Sequence, residues 1–178
     1  EWLGREIARF LEIPVPDLKE EVEERYLVNP DEFPDLQESQ KVRIKQRFLL
    51  SDEGEESVRV RDWNGQKTYL HVKKSAWGEK PRRETRVEIT VEQYWDYLKR
   101  RDKSRQQIKK TRLYFLIDKQ YFELDVFKGG LQGLAILERK RTEENAGAAL
   151  PDFVHGQIDI TGKPAYHGYA LSKDGIPK

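Results

Sequence analysis

On strand after strand of this chain, charged residues recur at every second position. A strand turns alternate side chains to opposite faces. Glu21, Glu23 and Arg25 therefore share one face of the stretch 21–28, with Val22, Tyr26 and Val28 on the other and Glu24 interrupting that apolar side. The spacing returns in Arg59 and Arg61, in Glu84, Arg86 and Glu88, in Lys110, Arg112 and Tyr114, and in Glu123 and Asp125. Two folds satisfy such a pattern. Either the charged faces form an outer, solvated surface, or the sheet closes on itself and one face lines a polar lumen.

Strands are predicted over 21–28, 41–50, 57–61, 67–74, 83–89, 110–117, 121–127 and 134–140. Asn64-Gly65 marks a two-residue hairpin between the third and fourth. Thr90 and Gln93 stand at capping-box spacing ahead of Tyr94, Trp95, Tyr97 and Leu98, which predicts a helix. Residues 2–11 place Trp2, Leu3, Ile7, Phe10 and Leu11 at helical spacing, and Pro14 and Pro16 stop that helix. Residues 141–152 read as a loop. Regular short strands with hairpin turns suggest a barrel or sandwich. The expected fold class is α+β, an eight-stranded antiparallel β-barrel with helices packed outside. Its core would lie between strands and helices, with Val22/Tyr26/Val28, Thr68/Leu70/Val72, Leu113/Phe115/Ile117 and Phe122/Leu124/Val126 turned toward Trp95 and Leu98.

Composition narrows the chemistry. Lys and Arg total 33 against 32 Asp and Glu, a net charge of +1, so the chain is no gross polycation, yet a local basic cavity is allowed. There is no Cys, which excludes disulfides, thiol catalysis and Cys-ligated metal and is compatible with a reducing compartment; cytoplasmic location is the expectation. There is no run of 18 apolar residues, so no transmembrane segment is expected. His71, His155 and His167 lack ligand spacing, and Gly129-Gly130 and Gly133 sit between strands rather than before a helix, so no phosphate loop is formed. Aromatics stand beside basic residues, but no RNA motif appears and nucleic acid is not an expected partner.

If the paired charges converge on a lumen, Arg59, Arg61, Lys73 and Arg112 form a set of cations on neighbouring strands. Buried cations need anions, and Arg offers planar, bidentate contacts to phosphate oxygens. A polyphosphate would supply the anion. Glu21, Glu23 and Glu138, joined by Glu123 or Asp125, would offer hard oxygen ligands to Mg²⁺ or Mn²⁺.

Glu21-x-Glu23-x-Arg25 followed by Tyr-Leu-Val resembles the Glu-x-Glu-x-Lys signature of the CYTH, or triphosphate tunnel metalloenzyme, superfamily. Val58-Arg59-Val60-Arg61, Thr68 to Lys73, Lys110-Thr111-Arg112, Phe122 to Phe127, Gly133 to Glu138 and Asp159-Ile160-Thr161-Gly162 with Tyr166 follow in the family's order. The resemblance implies a triphosphate tunnel and a divalent-metal-dependent triphosphatase. By position, Glu21, Glu23 and Glu138 resemble metal ligands, Glu21, Glu23 and Lys73 catalytic residues, and Arg25, Arg59, Arg61, Lys73 and Arg112 phosphate contacts. Three departures stand out: Arg25 replaces the Lys, Arg86 breaks the acidic series between Glu84 and Glu88, and the late Glu-x-Glu is Glu138-Arg139-Lys140. Lys140 is expected to weaken metal binding and to neutralise phosphate directly.

Shorter blocks, Lys45 to Phe48, Thr68 to His71, Gln120 to Asp125 and Leu150 to Phe153, resemble the CYTH domain of the TRPL translocation defect family. That likeness implies a different role, a non-catalytic module binding GTP or a phosphoinositide headgroup for membrane traffic, with peripheral membrane contact. It also implies that residues 1–19 are a helix and Pro-containing linker after a P-loop domain. Residues 20–172 would be the tunnel domain and 173–178 a tail. The expected ligand is thus a triphosphate, a nucleotide or a phosphoinositide headgroup.

Overall fold

The computed structural model describes residues 22–33, 40–76, 83–117, 120–141, 149–151, 154 and 157–178. The expected opening helix, the proline link, Glu21 and most of the expected 141–152 loop lie outside the described residues, as do the side chains of Val22, Lys140 and Arg141.

Among the described residues nine strands follow in chain order: β1 (Val22–Leu27), β2 (Gln40–Phe48), β3 (Glu55–Trp63), β4 (Gln66–Lys74), β5 (Glu84–Ile89), β6 (Ile108–Ile117), β7 (Gln120–Lys128), β8 (Ala135–Arg141) and β9 (Ile158–Asp159). They form one antiparallel sheet in the order β5-β4-β3-β2-β6-β7-β8-β1-β9. The short β9 adds a strand outside β1, and among the described residues no ladder joins β9 to β5. The sheet is therefore nine-stranded and open at that seam, where eight strands in a closed barrel were expected. It curves nonetheless: residues of β5 at one edge and of β1 near the other line the same cavity.

Local chemistry accounts for the connections. Asn64 and Gly65 both take positive φ, 51° and 87°, the pair of left-handed residues that a tight type I′ hairpin requires. This turn sets Trp63 opposite Gln66 and fixes the register of β3 on β4. Gly54, at φ 63°, lies so close to the end of β4 that a Cβ would stand 2.2 Å from the Lys74 carbonyl oxygen. Helix α1 (Val91–Tyr97) starts as expected: the Thr90 side chain accepts from the Gln93 N–H while the Gln93 side chain accepts from the Thr90 N–H. A second short helix, α2 (Gly168–Asp174), follows β9. No helix of the described residues is long and apolar enough to cross a membrane.

The core occupies both faces of the sheet. On the convex side Phe115, Phe122, Leu124 and Leu137 pack with Val28 and Val154. Under α1, Tyr94 packs on Val58 and Leu49, with Tyr69, Tyr97 and Leu98 at the margin. Trp95, expected in this core, is 62% exposed. The expectation for β4 is inverted. Its convex face is Tyr69 and His71, packed on Tyr94 at 5.1 Å and stacked on Tyr97 at 4.2 Å. Leu70 instead lines the cavity. The aromatic stripe of α1 finds aromatic partners on β4, which leaves the aliphatic face to the concave side.

A further cluster lies inside the curve, where only a polar lumen was expected. Phe48, Ile108 and Phe127 line the cavity and belong to a buried group with Leu131, Leu134, Ile136, Ile160 and Leu171. Residues 160–171 thereby close one end of the concave side. Arg105 fixes this segment by donating to the Tyr169 carbonyl at 2.6 Å and lying 3.4 Å over the Tyr169 ring.

Candidate active site

The concave face holds a cavity of about 340 Å³ lined by side chains from eight strands and by Tyr166 to Tyr169. Arg25, Arg59, Arg61, Arg112, Glu23 and Glu138, picked out by alternation in the sequence, all line it. Lys74, Glu84, Arg86, Lys110 and Glu123 line it too.

Lys73 does not. It stands in register with Glu56, on the face that carries His71, and Lys74 takes the cavity position opposite Glu55. Lys140 pairs by backbone register with Glu23. Glu24, which broke the apolar side of β1, lies on the convex face. There it accepts from Arg139 at 2.9 Å and from the Tyr26 hydroxyl at 3.0 Å.

The two halves of the cavity differ in charge. On β6, β7, β8 and β1 each described cation that lines the cavity meets a carboxylate. Arg112 donates to both oxygens of Asp125 at 2.7 Å, to Glu123, and to Glu138 at 3.4 Å. Lys110 lies 2.5 Å from Asp125. Arg25 donates through Nε to Glu138 at 2.9 Å and through Nη2 to the Tyr166 carbonyl at 3.3 Å.

Titration follows this pairing. Burial opposes ionisation of Asp125, but Arg112 and Lys110 outweigh it and hold that carboxyl well below the usual range. Glu138 is lowered in the same way, burial and Asp125 being overcome chiefly by Arg112. Arg112 is raised well above its ordinary value because Asp125 and Glu123 outweigh its burial. Burial lowers Lys110 despite its contact with Asp125.

On β3 to β5 the balance is positive. Arg59 is pushed down to about 10, first by burial and then by Arg86, Arg112 and Arg61, with Glu84 opposing them. Its Nε is buried and has no hydrogen-bond partner among the described residues, and the same holds for Nη1 of Arg25. Arg61 donates to the Tyr114 hydroxyl at 2.7 Å. Glu84 lies 2.6 Å from Lys74 and in contact with Arg86. Its burial is outweighed by Arg86, Lys74 and Arg59, which hold its carboxyl at about 2. Buried guanidinium donors without acceptors call for an anion in the cavity.

Among the described residues the carboxylates do not assemble as a metal site. Glu138 is engaged by two guanidinium groups, Glu123 and Asp125 by Arg112, and no three acidic or His side chains among the described residues gather as ligands. The set expected to hold Mg²⁺ or Mn²⁺, Glu21, Glu23 and Glu138, is thus represented here by Glu23 and an already paired Glu138.

A curved antiparallel sheet with a cation-lined concave cavity defines a tunnel-fold protein built for polyanions. The chain is 32% identical over 157 residues to the inorganic triphosphatase of Acetivibrio thermocellus, covering 86% of this chain and 94% of that protein. It belongs to that triphosphatase family, within the CYTH superfamily. The crystal structure of the inorganic triphosphatase NE1496 superposes with a TM-score of 0.62 at 29% identity, covering 90% of this chain and 99% of that one. HpAC1 from Hippeastrum, described as a putative adenylyl cyclase with a dominant triphosphatase activity, shares the fold at a TM-score of 0.50 and 13% identity, over 71% of this chain and 81% of that one. No family model matches the chain. None of these relatives supports the regulatory, phosphoinositide-binding alternative.

Proposed function

We propose that the cavity binds inorganic triphosphate and hydrolyses it. The observation that carries this reading is the pair of buried, acceptor-less guanidinium donors on Arg59 and Arg25, which face one cavity from opposite parts of the sheet. The triphosphatase relatives support the choice of anion. Arg59, Arg61 and Arg25 would neutralise phosphate oxygens, and their fixed positions would favour the charge that spreads over the transferred phosphoryl group. Glu23, an exposed carboxylate of the cavity wall, is assigned to orient the attacking water. Glu21 remains part of the proposal by its sequence spacing from Glu23, and Lys140 by its register opposite Glu23, as a cation toward phosphate. Lys74 replaces Lys73 as the β4 cation. No step is routed through a metal ion.

Phosphate release from inorganic triphosphate, followed together with calorimetric binding, tests the reading. Release by the unmodified chain and its loss in Arg59→Ala are expected, and binding is expected to survive a chelator. A chain that neither binds nor cleaves triphosphate, with or without Mg²⁺, refutes it.

A further inference from the structure

The cations of the positive half are spaced in a definite order. Arg61 and Arg59 stand two residues apart on β3, about 6.6 Å along the strand at the usual rise. Across the β3–β4 and β4–β5 ladders, Ser57 pairs with Val72 and Val72 with Arg86. Arg86 therefore stands one further two-residue step along the same concave face, beyond Arg59. Lys74, paired with Glu55 and with Glu84, stands one step beyond that. Four cations thus mark successive levels of one wall.

Arg86 is the member with reach. It lines the cavity, its side chain is 47% exposed, and its charge acts on Arg59. Glu84 contacts both Arg86 and Lys74, so one carboxylate aims two cations along this wall. The opposite wall offers no such surplus, because Arg112, Lys110 and Arg25 already hold Asp125, Glu123 and Glu138.

We infer that Arg86 contacts the substrate and sets chain-length preference: it holds the end of a linear phosphate chain farthest from Arg61, with Glu84 as its positioning residue. The inference rests on the functional reading above and adds to it a residue and a discrimination. A three-phosphate chain reaches both Arg59 and Arg86. A two-phosphate chain held at Arg61 and Arg59 does not need Arg86. A charge-assisted contact to a guanidinium is worth enough to change affinity about tenfold.

Calorimetric titration of the whole chain with inorganic triphosphate and with pyrophosphate, in chelator, is the test. Arg86→Ala is expected to weaken triphosphate about tenfold and to leave pyrophosphate nearly unchanged. Arg86→Lys restores most of the loss, since it returns the charge without the planar fork. Glu84→Gln weakens triphosphate in the same sense by releasing Arg86. Arg43→Ala, on the outer face beside Asp62, is the control for a general charge effect. Thermal melting of each variant separates lost binding from lost folding. If the unmodified chain binds triphosphate and Arg86→Ala binds it equally well, or loses both anions by the same factor, the inference fails and the functional reading stands. An unmodified chain that takes up neither anion overturns both.

Discussion

The guanidinium of Arg112 grips the carboxylate of Asp125 with two parallel hydrogen bonds, Nε to Oδ1 and Nη2 to Oδ2, each 2.7 Å long. Asp125 is 1% exposed, and Glu123 and Glu138 lean on the same guanidinium. Removing one partner of a buried ion pair is costly because the other charge stays behind without a counterion. Arg112→Ala would take the guanidinium from three carboxylates at once, leaving Asp125 only Lys110 and Glu138 only Arg25 as cations. We expect a loss of about 3–5 kcal/mol in urea unfolding, at the upper end for a single broken pair. A loss below about 1 kcal/mol would show that these carboxylates reach water or take up protons at little cost.

Arg59→Ala should behave in the opposite way. A buried guanidinium pushed down to about 10 is a charge that the fold disfavours. Its removal should leave stability unchanged or raise it by about 1 kcal/mol, while triphosphate affinity falls about tenfold or more. Melting temperature and titration on the same preparation check both halves. A variant that is markedly less stable would mean that Arg59 holds the sheet together.

Acid should unfold the protein through the same cluster. Glu84 sits at about 2, below its ordinary value of 4.5, and Asp125 and Glu138 are lowered too. A depressed carboxyl adds stability that is fully present above the unfolded value and is lost as pH falls through the folded one. For Glu84 that window runs from about 4.5 down to about 2. Melting temperature should fall across it, and Glu84→Gln should flatten part of the fall. An equal slope in both proteins would remove Glu84 from the account.

Gly54→Ala tests how closely the β2–β3 connection approaches β4. A methyl group there would press on the Lys74 carbonyl at 2.2 Å and hold a positive φ against its preference. The left-handed conformation alone costs about 1–2 kcal/mol, and the contact adds to it. Because Lys74 lines the cavity, urea unfolding and triphosphate affinity should both suffer. Gly65→Ala, with open space around its Cβ, should show the conformational cost only.

Much of the site was legible because alternation needs only the strand period. Arg59 and Arg61 share a face as their spacing implied, and that face, with Arg112, Glu23 and Glu138, is the concave one, which the spacing alone left open. Lys73 was misplaced although the information to place it was present. Asn64-Gly65 forces Trp63 onto Gln66, and counting back puts Arg61 opposite Thr68 and Glu55 opposite Lys74. Opposite residues share a face, so the two arginines on the concave side carry Leu70 and Lys74 with them. The apolar look of Thr68, Leu70 and Val72 pointed to the core instead. Hydropathy could not show that this sheet has core on both faces, or that residues 160–171 fold inside its curve. Those follow from contacts between positions far apart in the chain.

The opening strand is held from far away. β1 pairs with β8 and β9, and its Arg25 reaches Glu138, Thr161 and Tyr166. During synthesis, then, β1 has no ladder partner until β8 has followed it out of the ribosome. Such distant pairings are slow to form and expose an unpaired strand meanwhile. The alternating charges of β1 would disfavour pairing of that waiting segment with another chain, as charged residues do at exposed sheet edges. The same Glu23 and Arg25 that end in the cavity wall would thus guard the nascent chain before any cavity exists.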